Sequence, residues 1–260
     1  MQGRYLRTPM RGLRSLILIC SFSWLMPLFS QPIRDTTLAL VSVQANYAQQ
    51  FPGGDLADRF GTNSNAGLGA FRKLRNNLTL GAEGSFLFGN KVIEPGILRN
   101  VINSQGQIVD AEGVQADVIL YQRGWTAFAT VGKIFPILGP NPNSGLHVKL
   151  GGGYMRHKVR VQTQKNVVPQ LEDEYLEGYD RLAAGPAAMA YLGYQHFGNR
   201  GRINFHIGLE LMAGFTQAMR TFNFDTEQFN KPNRLDLLSG IRAGWSLPIY
   251  RKVDTGFHYY

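Results

Sequence analysis

The stretch that decides the fold is Ile203 to Phe215, I-N-F-H-I-G-L-E-L-M-A-G-F. Every second residue is apolar, and the intervening residues are mostly polar or small. An alternation with a period of two places the two sets of side chains on opposite faces of a β-strand. The stretch therefore predicts a strand with one apolar face and one polar face, long enough to cross a bilayer at a tilt.

The first thirty residues predict export. They contain four arginines and no acidic residue, followed by an apolar run from Leu16 to Phe29 and the small residue Ser30. A basic start, an apolar centre and a small residue near the cleavage point are typical of a secretory signal peptide. The apolar run is short for a helical membrane span of roughly 20 residues. We predict that residues 1–30 are the signal peptide and that residues 31–260 form one domain.

Charge and cysteine content exclude two classes of function. The chain has 27 basic and 18 acidic residues, and removing the four arginines of the signal leaves 23 minus 18, a net charge of +5. These basic residues are scattered, which disfavours a nucleic-acid partner. The single cysteine, Cys20, lies within the signal, so the mature chain has no disulfide and no thiol chemistry.

Beyond the signal there is no apolar run that could form a transmembrane helix. An exported chain with alternating strands is then either a soluble β-protein or a barrel, because lipid accommodates only helices and closed sheets. The 30 glycines and the 12% of aromatic residues favour the barrel.

Alternation and turn signals predict eight strands, near residues 37–48, 65–74, 78–89, 116–135, 145–162, 184–198, 202–222 and 235–250. Short connections follow the second, fourth and sixth strands, and mostly longer ones follow the others. This asymmetry is typical of an outer-membrane barrel with short periplasmic turns and longer external loops. The fold class is thus all-β, an eight-stranded antiparallel up-and-down barrel. Ten strands are possible if residues 97–102 and 107–109 pair as a hairpin.

The inward face of the predicted barrel carries six polar residues of interest. They are Glu83, Lys149, Glu210 and Arg242, with His147 and His206. Opposite charges inside a narrow barrel are expected to pair, because an unpaired buried charge is costly. The alternative is a very narrow, gated conductance, although eight strands leave little more room than side chains fill.

No catalytic constellation is predicted. His206 and Glu210 lie four residues apart on one strand, about 13 Å by strand rise, which is too far for a direct hydrogen bond. His196 lies near a strand end without the nearby serine that a lipid A deacylase would need. We predict no catalytic residue, no cofactor and no metal site.

The external loops hold two further features. The first is an acidic cluster, with the members Glu172, Asp173, Glu174, Glu177 and Asp180. It is interpreted as a solvated loop, with divalent-cation or partner binding as the alternative. The second is the turn from Gly53 to Gly61, which could form one helical turn capped by Asp55, or dock a partner.

Two resemblances follow from these residues. The segment with Arg242, Gly244, Leu247 and Ile249 resembles the signal that the barrel-assembly machinery recognises on a last strand. The mature chain resembles the OmpA/OmpX class of small eight-stranded barrels, and its predicted lumen charges are similar to the internal ion-pair network of OmpA-type domains. The loop from Pro52 to Gly61 resembles uncharacterised outer-membrane barrels of Bacteroidota.

Taken together, these features predict a barrel in the outer membrane of a Gram-negative bacterium. Its expected role is non-enzymatic, as a structural or accessory subunit of an outer-membrane complex or as a surface-interaction protein. A narrow, porin-like channel or a lipid-handling barrel is the alternative, and a lipid A-modifying enzyme is less favoured. The expected partners are outer-membrane lipid, lipopolysaccharide, the barrel-assembly machinery and an outer-membrane complex.

Overall fold

The computed structural model describes residues 36–164, 167–199, 203–229 and 233–250. The predicted signal peptide, residues 1–30, lies outside this part of the chain. The strands are β1 (Leu40–Gly54), β2 (Asn63–Lys73), β3 (Leu78–Gly89), β4 (Asp117–Phe135), β5 (Gly145–Gln164), β6 (Ala183–Phe197), β7 (Asn204–Ala218), β8 (Phe222–Asn223), β9 (Gln228–Phe229) and β10 (Asn233–Tyr250). A 3-10 helix spans Pro169–Leu171, and the helix α1 spans Asp173–Leu176. Within these ranges no helix has the length and apolarity of a membrane span.

Eight of the strands close into a barrel in the order β1-β10-β7-β6-β5-β4-β3-β2. Every neighbouring pair is antiparallel, including the closing pair of β1 and β10. The expected eight-stranded up-and-down barrel is therefore confirmed. Strands β8 and β9 form a two-stranded hairpin outside the barrel.

The ten-stranded alternative is wrong, because residues 97–102 and 107–109 do not form barrel strands. Residues 97–101 form turns, and Val109 makes a single bridge with Gln115. The side chain of Asn103 accepts the backbone N–H groups of Gln105 and Gln107, both at 2.9 Å. Such local bonds compete with a strand ladder and stabilise a turn.

The connections distinguish the two ends of the barrel. The outer end carries four loops: L1 (residues 55–62), L2 (90–116), L3 (165–182) and L4 (219–232). The inner end carries the other three connections, residues 74–77, 136–144 and 198–203. The start of β1 and the end of β10 also lie there, where Leu40 pairs with Tyr250. L2, L3 and L4 are longer than every connection at the inner end, as the sequence predicted, whereas L1 is about as short as the connection 136–144.

The barrel is apolar outside and polar inside. Leu209 and Ile241 point outward and are 58% and 56% exposed, whereas the neighbouring Glu210 and Arg242 point inward and are buried. This arrangement reverses that of a soluble protein, and a bilayer is the environment that matches an exposed apolar face of this kind.

Loop L1 is shorter than expected because β1 runs on to Gly54, which pairs with Asp236 of β10. Gly54 has a φ of 58°, and a Cβ there would lie 2.3 Å from the carbonyl oxygen of Leu235. The position therefore requires glycine. One helical turn follows, with Phe60 N–H donating to Leu56 O at 2.9 Å. Asp55 does not cap this turn, because its carboxylate accepts from Leu235 N–H at 2.7 Å.

Candidate functional site

Four charged side chains from four strands form an ion-pair network in the lumen. Glu83 accepts hydrogen bonds from Lys149 Nζ at 2.9 Å and from Arg242 Nη1 at 2.7 Å. The same Nη1 lies 2.7 Å from Glu210 Oε2. Gln50 donates to the other oxygen of Glu210, also at 2.7 Å. The structure thus brings together the four charges that the sequence placed inside, and two cations balance two carboxylates.

The ring of Tyr191 packs beside the two cations of this network. Lys149 Nζ lies 4.9 Å and Arg242 Cζ lies 5.9 Å from the ring centroid. These are cation–π distances. Two paired glycines make room for the ring, because a Cβ on Gly193 would lie 2.2 Å from the Tyr191 hydroxyl and one on Gly208 would lie 2.9 Å from Cζ.

Both lumen histidines are built into a buried polar layer. His147 Nε2 lies 3.1 Å from the hydroxyl of Thr79. His206 Nδ1 lies 3.1 Å from the side-chain nitrogen of Gln44, which also donates to Ser246 Oγ at 3.0 Å. Because an amide nitrogen only donates, His206 Nδ1 is the acceptor in this contact. Both imidazoles therefore take part in packing and hydrogen bonding within the lumen.

The inner mouth of the barrel is closed by side chains that we call the inner plug: Lys73, Asn141, Asn143 and Ser144. Lys73 Nζ donates to Asn143 Oδ1 at 2.8 Å and to the carbonyl oxygen of Leu38 at 3.0 Å. Asn141 and Ser144 both donate to the carbonyl oxygen of Phe197. Beside them lies an apolar cluster, with the members Leu40, Phe71, Ile134 and Phe197.

The outer mouth is closed by the four loops, which together form what we call the outer cap. Buried apolar side chains from three loops pack against the barrel mouth. They are Leu56 and Phe60 from L1, Ile97 and Leu98 from L2, and Val168, Leu171 and Tyr179 from L3. Phe224 of L4 joins them with its ring centroid 5.6 Å from that of Tyr179. The cap is thus a packed layer rather than four separate loops.

Ion pairs connect the loops of the outer cap. Arg59 of L1 lies 2.5 Å from Glu94 of L2. Arg181 of L3 donates from Nη2 to both carboxylate oxygens of Asp225 of L4, at 2.7 and 2.6 Å, and its Nε lies 3.7 Å from Glu94. Burial lowers the pKa of Arg59, and the nearby cation Arg234 lowers it further. Three arginines, Arg59, Arg181 and Arg234, thus lie close together on this side of the cap, beside the acids that pair with them.

The acidic cluster of L3 differs from the solvated loop that was expected. Asp180 is buried and pairs with Arg220 at 2.9 Å and with Lys158 at 3.7 Å. Glu177 also pairs with Arg220, at 2.6 Å, while Glu172 is exposed. The hydrogen bond from Asp180 raises the pKa of Arg220. Asp173 and Glu174 begin α1, and their side chains lie outside what the structure describes.

This pairing occupies two of the five carboxylates of the cluster, Glu177 and Asp180. The paired acids of L3 already have cationic partners, so they are not available as a set of free oxygen ligands. Among the described residues, no group of three or more potential metal ligands occurs.

The histidines considered for catalysis lie in packed surroundings. The ring of His196 stacks on that of Phe205 with centroids 5.0 Å apart, and its centroid lies 6.3 Å from that of Tyr194. It therefore belongs to an outward aromatic belt of the kind that lies at a membrane interface. His206 and Glu210 have different partners, Gln44 and Arg242, and do not bond to each other in the hydrogen bonds described here.

The residues of the proposed assembly signal lie on β10. Leu247 and Ile249 are half exposed on the outward face, and Arg242 points into the lumen. Gly244 faces His206, and a Cβ at this glycine would lie 2.5 Å from the imidazole Cε1. The glycine thus has a packing role, and recognition by the assembly machinery stays a prediction.

Sequence reasoning missed several residues of these clusters. Gln44 and Gln50 occupy inward positions of β1, where the alternating Ser42, Gln44, Asn46 and Gln50 could have indicated a polar face. Lys73 of the inner plug ends β2, but its partners in the plug and the ion pairs of the cap lie in turns and loops, which follow no period and gave no such signal.

No protein-family model matches the chain, and no curated protein matches it either. Among solved structures, it is similar to Neisserial surface protein A, with 13% identity, 80% of this chain and 96% of that chain covered, and a TM-score of 0.39. It is similar to Ail, the attachment invasion locus protein of Yersinia pestis, in complex with the heparin analogue sucrose octasulfate, with 13% identity, 80% of this chain and 99% of that chain covered, and a TM-score of 0.37. It is also similar to the outer membrane protein OprG of Pseudomonas aeruginosa, with 9% identity, 85% of this chain and 100% of that chain covered, and a TM-score of 0.35.

All three are small outer-membrane barrels, and each is covered almost completely. At such identities and TM-scores the likeness is remote, and the eight-stranded barrel follows from the strand pairing of this chain itself. The resemblance to barrels of Bacteroidota stays a prediction.

Proposed function

We propose that the protein is a non-enzymatic, non-conducting barrel of the bacterial outer membrane that acts as a surface-interaction protein through its outer cap. The exposed apolar face of the barrel and its buried polar interior support a position in lipid. The short turns at one end and the longer loops at the other support an orientation with the cap outside the cell.

The observation that carries this proposal is the contrast between a filled interior and a preformed outer surface. The lumen is occupied at three levels, by the inner plug, the ion-pair network and the outer cap. An eight-stranded barrel has room for little beyond its own side chains. The four loops, in contrast, are held together by ion pairs and apolar contacts and offer one ordered surface to the outside.

The surroundings of the histidines support a non-enzymatic role. His157 pairs with Asp236 at 2.7 Å and would be the best-formed acid–base pair of the barrel. Both side chains are fully buried, and the ring of Phe60 in the cap lies edge-on to His157 at 5.7 Å. A substrate would have to displace the cap to reach this pair.

The first experiment measures conductance in planar bilayers. The purified wild type and a Glu83→Gln variant are both expected to leave the bilayer insulating, because the plug and the cap close the lumen independently of Glu83. A discrete unit conductance of the wild type that changes in the Glu83→Gln variant would establish a narrow channel instead and overturn the proposal.

The second experiment tests whether the cap is the acting surface. Tagged wild type is purified from native outer membranes in mild detergent beside two variants: Glu83→Gln in the lumen, and a chain in which residues 222–229 are replaced by a Gly-Ser linker of equal length. Mass spectrometry identifies what remains bound. Components kept by the lumen variant and lost by the loop variant would support the proposal; a stoichiometric protein among them would establish an accessory subunit.

Equal retention by all three proteins would show that the barrel wall, and not the cap, is the binding surface. The same membranes provide lipid A for mass analysis. Deacylated lipid A that disappears in a His196→Ala variant would identify an enzyme and contradict the proposal.

A further inference from the structure

All four loops of the outer cap and the outer ends of β7 and β10 line a cavity of about 290 Å³. Its lining includes three arginines, Arg59, Arg181 and Arg234, together with Glu94, Thr226 and Phe229. The volume is at the lower limit of small-molecule sites, which corresponds to a ligand of about monosaccharide size. The cavity is distinct from the lumen network and opens on the side of the cap.

Three buried polar atoms at this cavity have no hydrogen-bond partner among the described residues: Arg181 Nη1, Arg234 Nε and Thr226 Oγ1. Two of them only donate, and the hydroxyl can donate. A buried donor without an acceptor is costly, and more so when it belongs to a charged group. Among the unpartnered buried atoms of the described residues, the guanidinium nitrogens are those of Arg181 and Arg234. Their occurrence around one cavity indicates a ligand that brings acceptor oxygens.

The two guanidinium groups are held in place by other contacts. The side chain of Arg181 is buried, with 5% of its surface exposed, and its Nη2 donates to both carboxylate oxygens of Asp225. Arg234 donates to the carbonyl oxygen of Asp55 at 2.7 Å and lies 3.3 Å from Asp236. The side chains that carry the unpartnered N–H groups are therefore preorganised at the wall of the cavity, which reduces the entropy lost on binding.

The backbone at Arg181 is strained in a way that fits a functional position. Its φ is 50°, in the left-handed region that a non-glycine residue seldom adopts. Such a conformation costs free energy and persists where the surroundings over-determine it, often at ligand sites. Here it lies at the residue whose guanidinium joins two loops and lines the cavity.

The acids of the cavity do not cancel this preference for acceptors. Glu94 is occupied by Arg59, and the carboxylate of Asp55 is occupied by the backbone of Leu235. Asp58 is exposed and solvated. At the rim, the side chain of Phe229 is 81% exposed and meets Phe222 only edge-on, at 5.6 Å. The exposure of this side chain leaves most of its ring accessible to the apolar C–H face of a bound ring.

We propose that this cavity binds an acidic sugar, a pyranose carrying a carboxylate or a phosphate group. The anionic group accepts from Arg181 and Arg234, a ring oxygen or hydroxyl meets Thr226, and the C–H face of the sugar packs on Phe229. The inference rests on the proposed function, in which the cap is the surface that meets the ligand, and it names the ligand class. The sugar can come from lipopolysaccharide of the same membrane or from a polysaccharide outside it.

Calorimetry on the purified barrel tests this proposal. A polyoxyethylene detergent is used because it has no sugar headgroup that could compete. The probes are galacturonate, glucose 1-phosphate, neutral glucose and inorganic phosphate. We expect both acidic sugars to bind at least tenfold more tightly than glucose and inorganic phosphate, because the neutral sugar lacks the anion and phosphate lacks the ring.

Three variants assign the contacts. Thr226→Val removes an unpartnered hydroxyl and is expected to weaken binding about fivefold, whereas Thr221→Val, an exposed threonine of the same loop, is the matched control and should change nothing. Phe229→Ala is expected to weaken acidic sugars about tenfold without affecting inorganic phosphate. Arg234→Met should abolish binding, with the gel shift between unboiled and boiled protein confirming that the barrel still folds.

A competition experiment distinguishes the two sources of the sugar, lipopolysaccharide of the same membrane and a polysaccharide outside it. Nanodiscs containing lipopolysaccharide that displace the bound sugar would assign it to the same membrane, and failure to displace it would assign it to a polysaccharide outside. No heat with either acidic sugar would overturn the inference, as would inorganic phosphate binding as tightly as glucose 1-phosphate. Either result leaves the proposed function standing if the barrel is insulating and the loop-replaced variant still loses its partners.

Discussion

The lumen and the outer cap are both held by ion pairs between arginines and carboxylates, but they differ in how completely the arginines are paired. Both hold arginines in contact with carboxylates, at 2.7 Å for Arg242 in the lumen and at 2.5 to 2.7 Å for Arg59 and Arg181 in the cap. In the lumen every charge of the network has an opposite partner. In the cap, donor atoms of Arg181 and Arg234 are left over.

The difference indicates which region maintains the fold and which is available for a ligand. Charges enclosed within a membrane-spanning wall have no access to water, so selection for stability pairs them completely. Loops at the outer end lie outside this wall and can keep unpaired donors if a ligand occupies them. The lumen network is thus a structural element, and the cap is where binding is to be sought.

The largest expected effect comes from breaking the lumen network. Arg242→Met leaves Glu210 without its cation and Glu83 with only Lys149, so we expect a loss of about 3–5 kcal/mol in the free energy of unfolding. Urea unfolding of the protein in lipid vesicles, followed by tryptophan fluorescence and by the gel shift of the folded form, measures it.

The matched control is Arg160→Met, which changes an exposed arginine on the outward side of β5 and should cost less than about 0.5 kcal/mol. Adding Glu210→Gln to Arg242→Met restores a balance of one cation and one carboxylate. The double variant should then recover part of the loss, which is the coupling that a mutant cycle reports. If the loss of unfolding free energy in the double variant equalled the sum of the losses in the two single variants, the network would not act as a unit.

A smaller and local effect is expected in the cap. Asp225→Asn removes the carboxylate that pairs with Arg181. The attachment of L4 to L3 is then weakened, while the barrel strands keep all their contacts. We expect chymotrypsin to cleave near Phe222 and Phe224 about tenfold faster, equivalent to about 1.4 kcal/mol in the opening of the loop. Digestion of the protein in vesicles, read by mass spectrometry, gives the rate.

Glu227→Gln alters an exposed carboxylate of the same loop and is the control, with no expected change in cleavage. The urea midpoint of the Asp225→Asn barrel should equal that of the wild type. A coupled loss of both would show that the cap and barrel unfold together, and the contrast between the two regions would not hold.

The sequence anticipates these two regions unequally for a physical reason. In a barrel strand the side-chain period is two, so Glu83, Lys149, Glu210 and Arg242 had to point inward once the alternation was recognised. In a narrow barrel, inward side chains from different strands lie close enough to contact one another. The exact register of the strands is therefore of little importance for predicting that these four charges pair.

The cap could not be predicted in this way. Arg59 and Glu94 are 35 residues apart in sequence, and Arg181 and Asp225 are 44 apart, in loops without periodicity. Which loop residues meet depends on how L1 to L4 fold over the mouth. The same limitation explains why Asp180, expected in a solvated acidic loop, is buried against Arg220, and why the inner plug around Lys73 was not foreseen.

The smallest expected effect concerns Tyr191, whose hydroxyl is one of the buried polar atoms of the lumen that have no hydrogen-bond partner among the described residues, as are Gln50 Oε1 and His206 Nε2. The ring lies beside Lys149 and Arg242, but the hydroxyl has no partner among the described residues. Tyr191→Phe keeps the ring and its cation–π contacts and removes a buried unsatisfied group, so the change in unfolding free energy should be near zero or stabilising by up to about 1 kcal/mol. Tyr191→Leu is the matched variant, which removes the aromatic face and should lose about 1–3 kcal/mol. The urea assay used for Arg242 measures both. If Tyr191→Phe instead cost more than 1 kcal/mol, the hydroxyl would have a partner in the lumen, and the view that the network is complete without it would have to be given up.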